Sequence, residues 1–323
     1  MQLSLSSRTL KLLTEFDQFK GRWESLGQLV PARLSSLRRI TAMESAAAAA
    51  RMAGYPCSDR QAGEFLAGRQ TSQEKALGVE AREAISNAHA VVNLVNTSYD
   101  RISLSESHTR QLHSLLIGTG GQATPPTPFQ INSIGLLLRE ATDAIDNAGV
   151  HPILVMAVLS RNLWALKPFP VGNKRLNWLL IRLTLLRHNY AFVPFCSLEA
   201  DFEKKLTDFT RVVREGDGSR CYLTEIDQDW LELFLEALTD MREGLIRKIS
   251  REKTMLKLPP AHREIIRAVQ ESGNATISGI ATATSTNRNT VKIRLRKMVQ
   301  SRLLVQNGHG KSTYYSLPEL HLK

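Results

Sequence analysis

Cysteine is scarce and scattered in this chain of 323 residues. Cys57, Cys196 and Cys221 lie far apart, are odd in number and show no metal-ligand spacing, which excludes a disulfide framework and a cysteine-based zinc site. Free thiols fit a reducing cytoplasm, so a cytoplasmic location is expected. Long apolar runs are missing too. The most apolar one, Trp178 to Leu186, is short and broken by Arg182, too little to span a bilayer. The first residues, Met1 to Phe16, alternate polar and apolar with Arg8 and Lys11 among them, so they lack the apolar centre of a signal peptide. No membrane partner is expected. No internal repeat is visible, and no segment is polar enough to stay unfolded.

Acidic side chains are also in short supply. There are 31 Asp and Glu against 42 Lys and Arg, a net charge of +11. The surplus is localised: from Arg251 onward thirteen basic residues face four acidic ones, so less than a quarter of the chain carries most of it. Such a distribution is the footprint of a module that meets a polyanion. What is present in quantity, 42% apolar and 23% charged residues, belongs to a folded protein, and the length suggests two domains.

Most of the first 250 residues read as helix, because apolar positions recur every three or four residues, as at Leu176, Leu179, Leu180 and Leu183. Glu44 to Met52 is rich in alanine, a strong helix former whose small side chain permits close helix contacts. Gly118 to Pro128 is the clearest internal loop, with a helix expected to open near Asn132. A boundary is expected near Leu258-Pro259-Pro260, after a charged helix ending at Lys253.

Beyond Pro260 the pattern is helix, helix, helix, then two short strands. His262 to Gln270 and Ile277 to Thr284 supply the first two helices. The third runs from about Asn287 or Arg288 to Gln300, with Val291, Leu295 and Met298 forming one buried stripe. Leu303 to Gln306 and Thr313 to Leu317 read as strands around the turn Asn307-Gly308-His309-Gly310. This order resembles the winged helix-turn-helix family over the last sixty or so residues. The resemblance implies double-stranded DNA as partner, with the third helix in a major groove and the hairpin on the backbone. The residues it implicates are Thr286, Asn287, Arg288, Asn289, Thr290, Lys292, Arg294, Arg296 and Lys297, with His309 and Lys311 from the hairpin. Arginine and lysine neutralise phosphates there, while Arg288 or Asn289 could reach base edges. A solvated helix face in a protein-binding module is the alternative. A homodimer is expected, since paired half-sites raise affinity.

The most informative stretch is Leu166-Lys-Pro-Phe-Pro-Val-Gly-Asn-Lys-Arg-Leu-Asn-Trp-Leu-Leu-Ile181. Taken alone it is a helix end, a Pro-Phe-Pro loop and the entry to an apolar helix, where backbone N–H groups beside Lys174 and Arg175 could hold an anion. The stretch also resembles the active loop of the Fic family, His-Pro-Phe-x-Asp/Glu-Gly-Asn-Gly/Lys-Arg with a second arginine soon after. Pro168, Phe169, Gly172, Asn173, Lys174 and Arg175 match in register. Leu112-His113 resembles a Leu-His helix of that family, and the helix from Ile40 to Gly54 resembles its N-terminal inhibitory helix. The resemblance spans Thr9 to Lys253 and implies a mainly α fold: a Fic-like helical bundle followed by the small winged module. On that basis residues 1–110 form an N-terminal helical region, 111–253 a core with the altered loop, and 259–323 the winged helix-turn-helix.

Four departures bear on chemistry. Where the family has its general-base histidine stands Lys167, an amine that ordinarily titrates near pKa 10.4 and so donates rather than accepts. Val171 replaces the acid that holds magnesium, Trp178 the second arginine, and Ala53 the inhibitory glutamate. No catalytic residue, metal or cofactor is therefore expected, apart from residual nucleotide or phosphate binding at Gly172, Asn173, Lys174 and Arg175. His113 and His151 are expected to be core or capping residues. The functional expectation is a DNA-binding transcriptional regulator with a degenerate Fic domain. Two alternatives stand beside it, a divergent transferase using Lys167 in a new role and a protein-binding scaffold.

Overall fold

The computed structural model describes residues 5–26, 31–68, 77–118, 128–215, 227–256, 258–272 and 275–316. Cys221 and most of the Gly/Pro-rich loop lie outside these. The chain divides into two compact units, Met1–Ile246 and Arg247–Lys323. The dividing point falls inside a long helix rather than at the Leu258-Pro259-Pro260 punctuation.

Among the described residues, the regular elements of the first unit are all helices. Its elements are α1 (Ser7–Leu26), α2 (Pro31–Met52), α3 (Asp59–Leu66), α4 (Val79–Ser98), α5 (Glu106–Ile117), α6 (Pro128–Asp146), α7 (Pro152–Leu166), α8 (Asn173–Arg187), α9 (Leu198–Lys204), α10 (Leu206–Glu215) and the start of α11 (Gln228–Leu256). Helix α6 opens at Pro128, earlier than Asn132, because proline suits a first helical position where its missing N–H costs nothing. Helices α7 and α8 form the centre. Ile153 to Trp164 and Leu176 to Leu186 are buried without a break, with polar Asn177 and charged Arg182 among them, so both helices lie inside the unit. Against them stands an aromatic cluster of Trp164, Trp178, Phe202, Phe209 and Trp230, whose indole N–H donates to the Ala157 carbonyl at 2.9 Å. The alanine run is used inside the unit: Ala46, Ala47 and Ala50 pack on Ala62, Ala84 and Ile85 of α3 and α4. Small side chains let these backbones approach closely. No helix among the described residues is long and apolar enough to cross a membrane.

The second unit comprises α12 (Pro260–Ser272), α13 (Ile277–Ala283), α14 (Arg288–Gln300), β1 (Val305–Asn307) and β2 (Tyr314–Ser316). Strands β1 and β2 pair antiparallel with Gln306 opposite Tyr315. Ala275, just before α13, adds a bridge to Tyr315 through N–H to carbonyl bonds of 3.0 and 2.8 Å, a third pairing the sequence did not announce. Val291, Leu295 and Met298 of α14 meet Ile265, Ile266, Val269, Ile280 and Tyr315 in one small core.

Candidate functional site

The loop between α7 and α8 is built by terminations. Lys167 ends α7 in the left-handed region (φ 45°), with its N–H on the Leu163 carbonyl at 3.1 Å, and points its chain into solvent. Pro168 and Phe169 turn inward and are buried. Gly172 begins α8 at φ 79°, a backbone conformation that favours glycine, and a Cβ there would lie 2.4 Å from Ile117 Cδ1, so the tip of that side chain would have to shift. Gly172→Ala is expected to cost about 1–3 kcal/mol by urea unfolding. Adding Ile117→Ala should recover the steric part alone; no loss in the single variant would contradict this geometry.

Two side chains close the loop. Asn173 accepts from the Phe169 N–H at 2.9 Å and donates back to the Phe169 carbonyl, so its carboxamide is committed to the loop's own backbone. His113 stacks on Phe169, with ring centroids 3.8 Å apart at 14°, and donates from Nε2 to the Val171 carbonyl at 2.9 Å. A carbonyl can only accept, so the imidazole carries its proton on Nε2. Burial pushes the His113 pKa down, and Arg175 nearby adds to the shift. The neutral ring is thus a clamp on the loop. His151 caps α7, accepting from the Ile153 N–H at 3.3 Å, while its Nε2 meets Asp17 at 2.8 Å. Tyr190 donates to the other Asp17 oxygen at 2.6 Å. The Asp17 link from α1 to α7 was not foreseen, since its partners are far apart in the chain.

The remaining loop residues separate. Trp178 is fully buried, 4.1 Å from the Phe202 ring, so it belongs to the core and does not cover Lys167. Lys174 lies over the Trp164 ring at 5.4 Å. Arg175 is half-buried and has no hydrogen bond or ion pair among the described residues. Burial lowers its pKa, with Tyr55 countering. Ala53 follows α2 and offers only a methyl group; Tyr55, two residues on, is the side chain of this segment that Arg175 senses. No side chain caps the N-terminus of α8. The arrangement can hold an anion on Arg175 and the first amides of α8. It does not suit magnesium, because the Val171 side chain has no oxygen and its carbonyl is occupied by His113.

In the second unit Asn287 caps α14, its side chain accepting from the Asn289 N–H at 2.9 Å, and Thr286 Oγ donates to the Thr284 carbonyl at 3.0 Å. Both are spent on the turn. Arg288, Asn289, Lys292, Arg296 and Lys297 are exposed, whereas Thr290 and Arg294 are half-buried. Burial lowers the His262 pKa on α12, and the fields of Arg294 and Lys297 add to it, which places these two cations toward α12. His309 is exposed in the hairpin turn; the side chain of Lys311 lies outside the described residues. Ile293, an apolar residue one turn after Asn289 on α14, is 58% exposed.

No family model matches the chain. Among solved structures, a Fic family protein from Desulfovibrio desulfuricans G20 superposes with a TM-score of 0.60 at 18% identity, covering 99% of both chains. This is the Fic fold. A Fic domain containing signaling protein from Bacteroides thetaiotaomicron VPI-5482 shares the Fic fold with TM-score 0.56 and 16% identity, over 87% of this chain and 99% of that one. Fic-1 from C. elegans does so with TM-score 0.57 and 16% identity, over 74% and 71%. A curated relative, the protein adenylyltransferase Fic of Drosophila virilis, is 24% identical over 164 residues, 49% of this chain and 33% of that protein. The match therefore spans about a third of that relative's length. Within the Fic fold, the α7–α8 loop of this chain is the segment closed by Asn173 and His113.

Proposed function

We propose that this chain is a DNA-binding regulator in which a Fic-fold unit without transfer chemistry is joined to a winged helix-turn-helix. The observation that carries the reading is helix α14. Its sequence has five basic residues and no acidic one, and none of the five is ion-paired among the described residues. A solvated structural helix ordinarily mixes both signs, whereas a helix that enters a groove presents cations to phosphates. The order α12, α13, turn, α14, hairpin supports the same reading. The Fic-fold unit supplies dimerisation or ligand sensing. Selection of bound duplexes from a random pool by the full chain tests the proposal. Enrichment of a defined sequence is expected; recovery of no duplex at low salt would overturn it.

A second reading, a divergent Fic-type transferase, is favoured by the adenylyltransferase relative and by Arg175, a cation without an ion pair among the described residues, beside the uncapped end of α8. Against it stand Lys167 in place of a proton acceptor and Val171 in place of a magnesium ligand. Loss of one general base alone costs on the order of 10²–10⁴ in rate. Incubation with radiolabelled ATP and varied divalent cations is expected to leave the chain and added protein unlabelled. Label that disappears in Lys167→Ala would establish the transferase.

A further inference from the structure

Along α14 the buried stripe of Val291, Leu295 and Met298 sets which residues stand opposite it. At 100° per residue, the crest of the outer face falls on Asn289, Ile293 and Gln300, flanked by Arg296 and Lys297. Ile293 is 58% exposed there, although single apolar residues elsewhere on a surface need no special account. Its place is what matters. An isoleucine among cations that would carry the helix into a major groove meets base edges, not phosphates. The one apolar group on those edges is the thymine 5-methyl.

We infer that Ile293 is a specificity-determining residue that selects thymine by packing on its methyl group. The inference rests on the DNA-binding reading above and adds to it a base preference and the side chain responsible. Asn289, one turn earlier, is suited to the adenine N6 and N7 edge, so an A·T-containing step is the target that both residues fit.

The test uses the full chain and a duplex it selects from a random pool. Each thymine in the selected site is replaced in turn by deoxyuridine, which removes only the methyl group. The wild-type chain should lose about fourfold in affinity at one such position, the worth of one buried methyl. Ile293→Ala should bind thymine and deoxyuridine duplexes equally there, with its thermal midpoint unchanged because the residue is exposed. If wild type binds a defined duplex but no deoxyuridine matters, or if Ile293→Ala keeps the same discrimination, the inference fails while DNA binding stands. An Ile293→Ala chain with unaltered discrimination but a changed oligomeric state would instead assign Ile293 to a contact between copies. Failure to select any duplex removes the DNA-binding reading itself and the inference with it.

Discussion

Glu199→Ala is expected to lose about 3–5 kcal/mol of folding stability, the largest single effect foreseen in the Fic-fold unit. The Arg182 and Glu199 side chains are 0% and 5% exposed and paired at 2.7 Å. Arg182 also donates to the Val193 and Cys196 carbonyls, both at 3.3 Å. Removing the carboxylate leaves a guanidinium among apolar side chains without its counter-charge. A domain has about 5–15 kcal/mol in total, so much of the variant should be unfolded at physiological temperature. The double variant Arg182→Met, Glu199→Leu should recover part of the loss, since the stranded charge goes but the two carbonyls lose their donor. Burial alone would push the Glu199 pKa up; Arg182 outweighs it and holds the carboxyl below its ordinary range. Its contribution is therefore present above about pH 4.3 and lost as pH falls through the lower folded value, so wild type should lose more stability in acid than Glu199→Ala. Chemical denaturation across pH reads both effects. An unchanged midpoint for Glu199→Ala would contradict the described core.

On the second unit, Arg288→Ala and Lys292→Ala are expected to weaken duplex binding while leaving the fold intact. Both side chains are exposed, so thermal midpoints should move little. Arg288 stands at the first position of α14, where a side chain can reach a base edge. Its loss should cost about 1–3 kcal/mol of binding and relax the preferred sequence at one position. In the DNA-binding reading proposed above, Lys292, one turn on, contacts a phosphate. Removing it should weaken all sequences alike and reduce the salt slope by about one. Fluorescence anisotropy with a selected duplex separates the two patterns. Normal binding by both variants would show that α14 is not the reading helix.

The helical character of the chain was legible from apolar spacing, and in α14 that spacing also marks the buried face, whereas α8 is buried all round and its spacing marks a helix but no face. The loop was legible through residues with few physical substitutes: Gly172 at positive φ, and Asn173 at a helix entry. Less visible was the division of labour among the matched residues. Asn173, Asn287 and Thr286 read equally well as ligand contacts or as local caps, and their hydrogen bonds go to the chain's own backbone. Trp178 stood in the loop motif yet lies in the core, since helix geometry turns it toward Phe202. Tyr55 beside Arg175, Asp17 beside His151 and the Ala275 bridge to Tyr315 join residues remote in sequence. No local pattern encodes such pairs.

Equilibrium binding of the full chain to a selected duplex, followed between 50 and 200 mM salt, bears most directly on the proposed role. Three exposed cations on α14, Lys292, Arg296 and Lys297, each neutralising one phosphate while Arg288 reaches a base edge, predict a slope of log K against log salt near −2.7, or on the order of a fortyfold loss across that range. No measurable binding at 50 mM, or an affinity indifferent to salt, would contradict it.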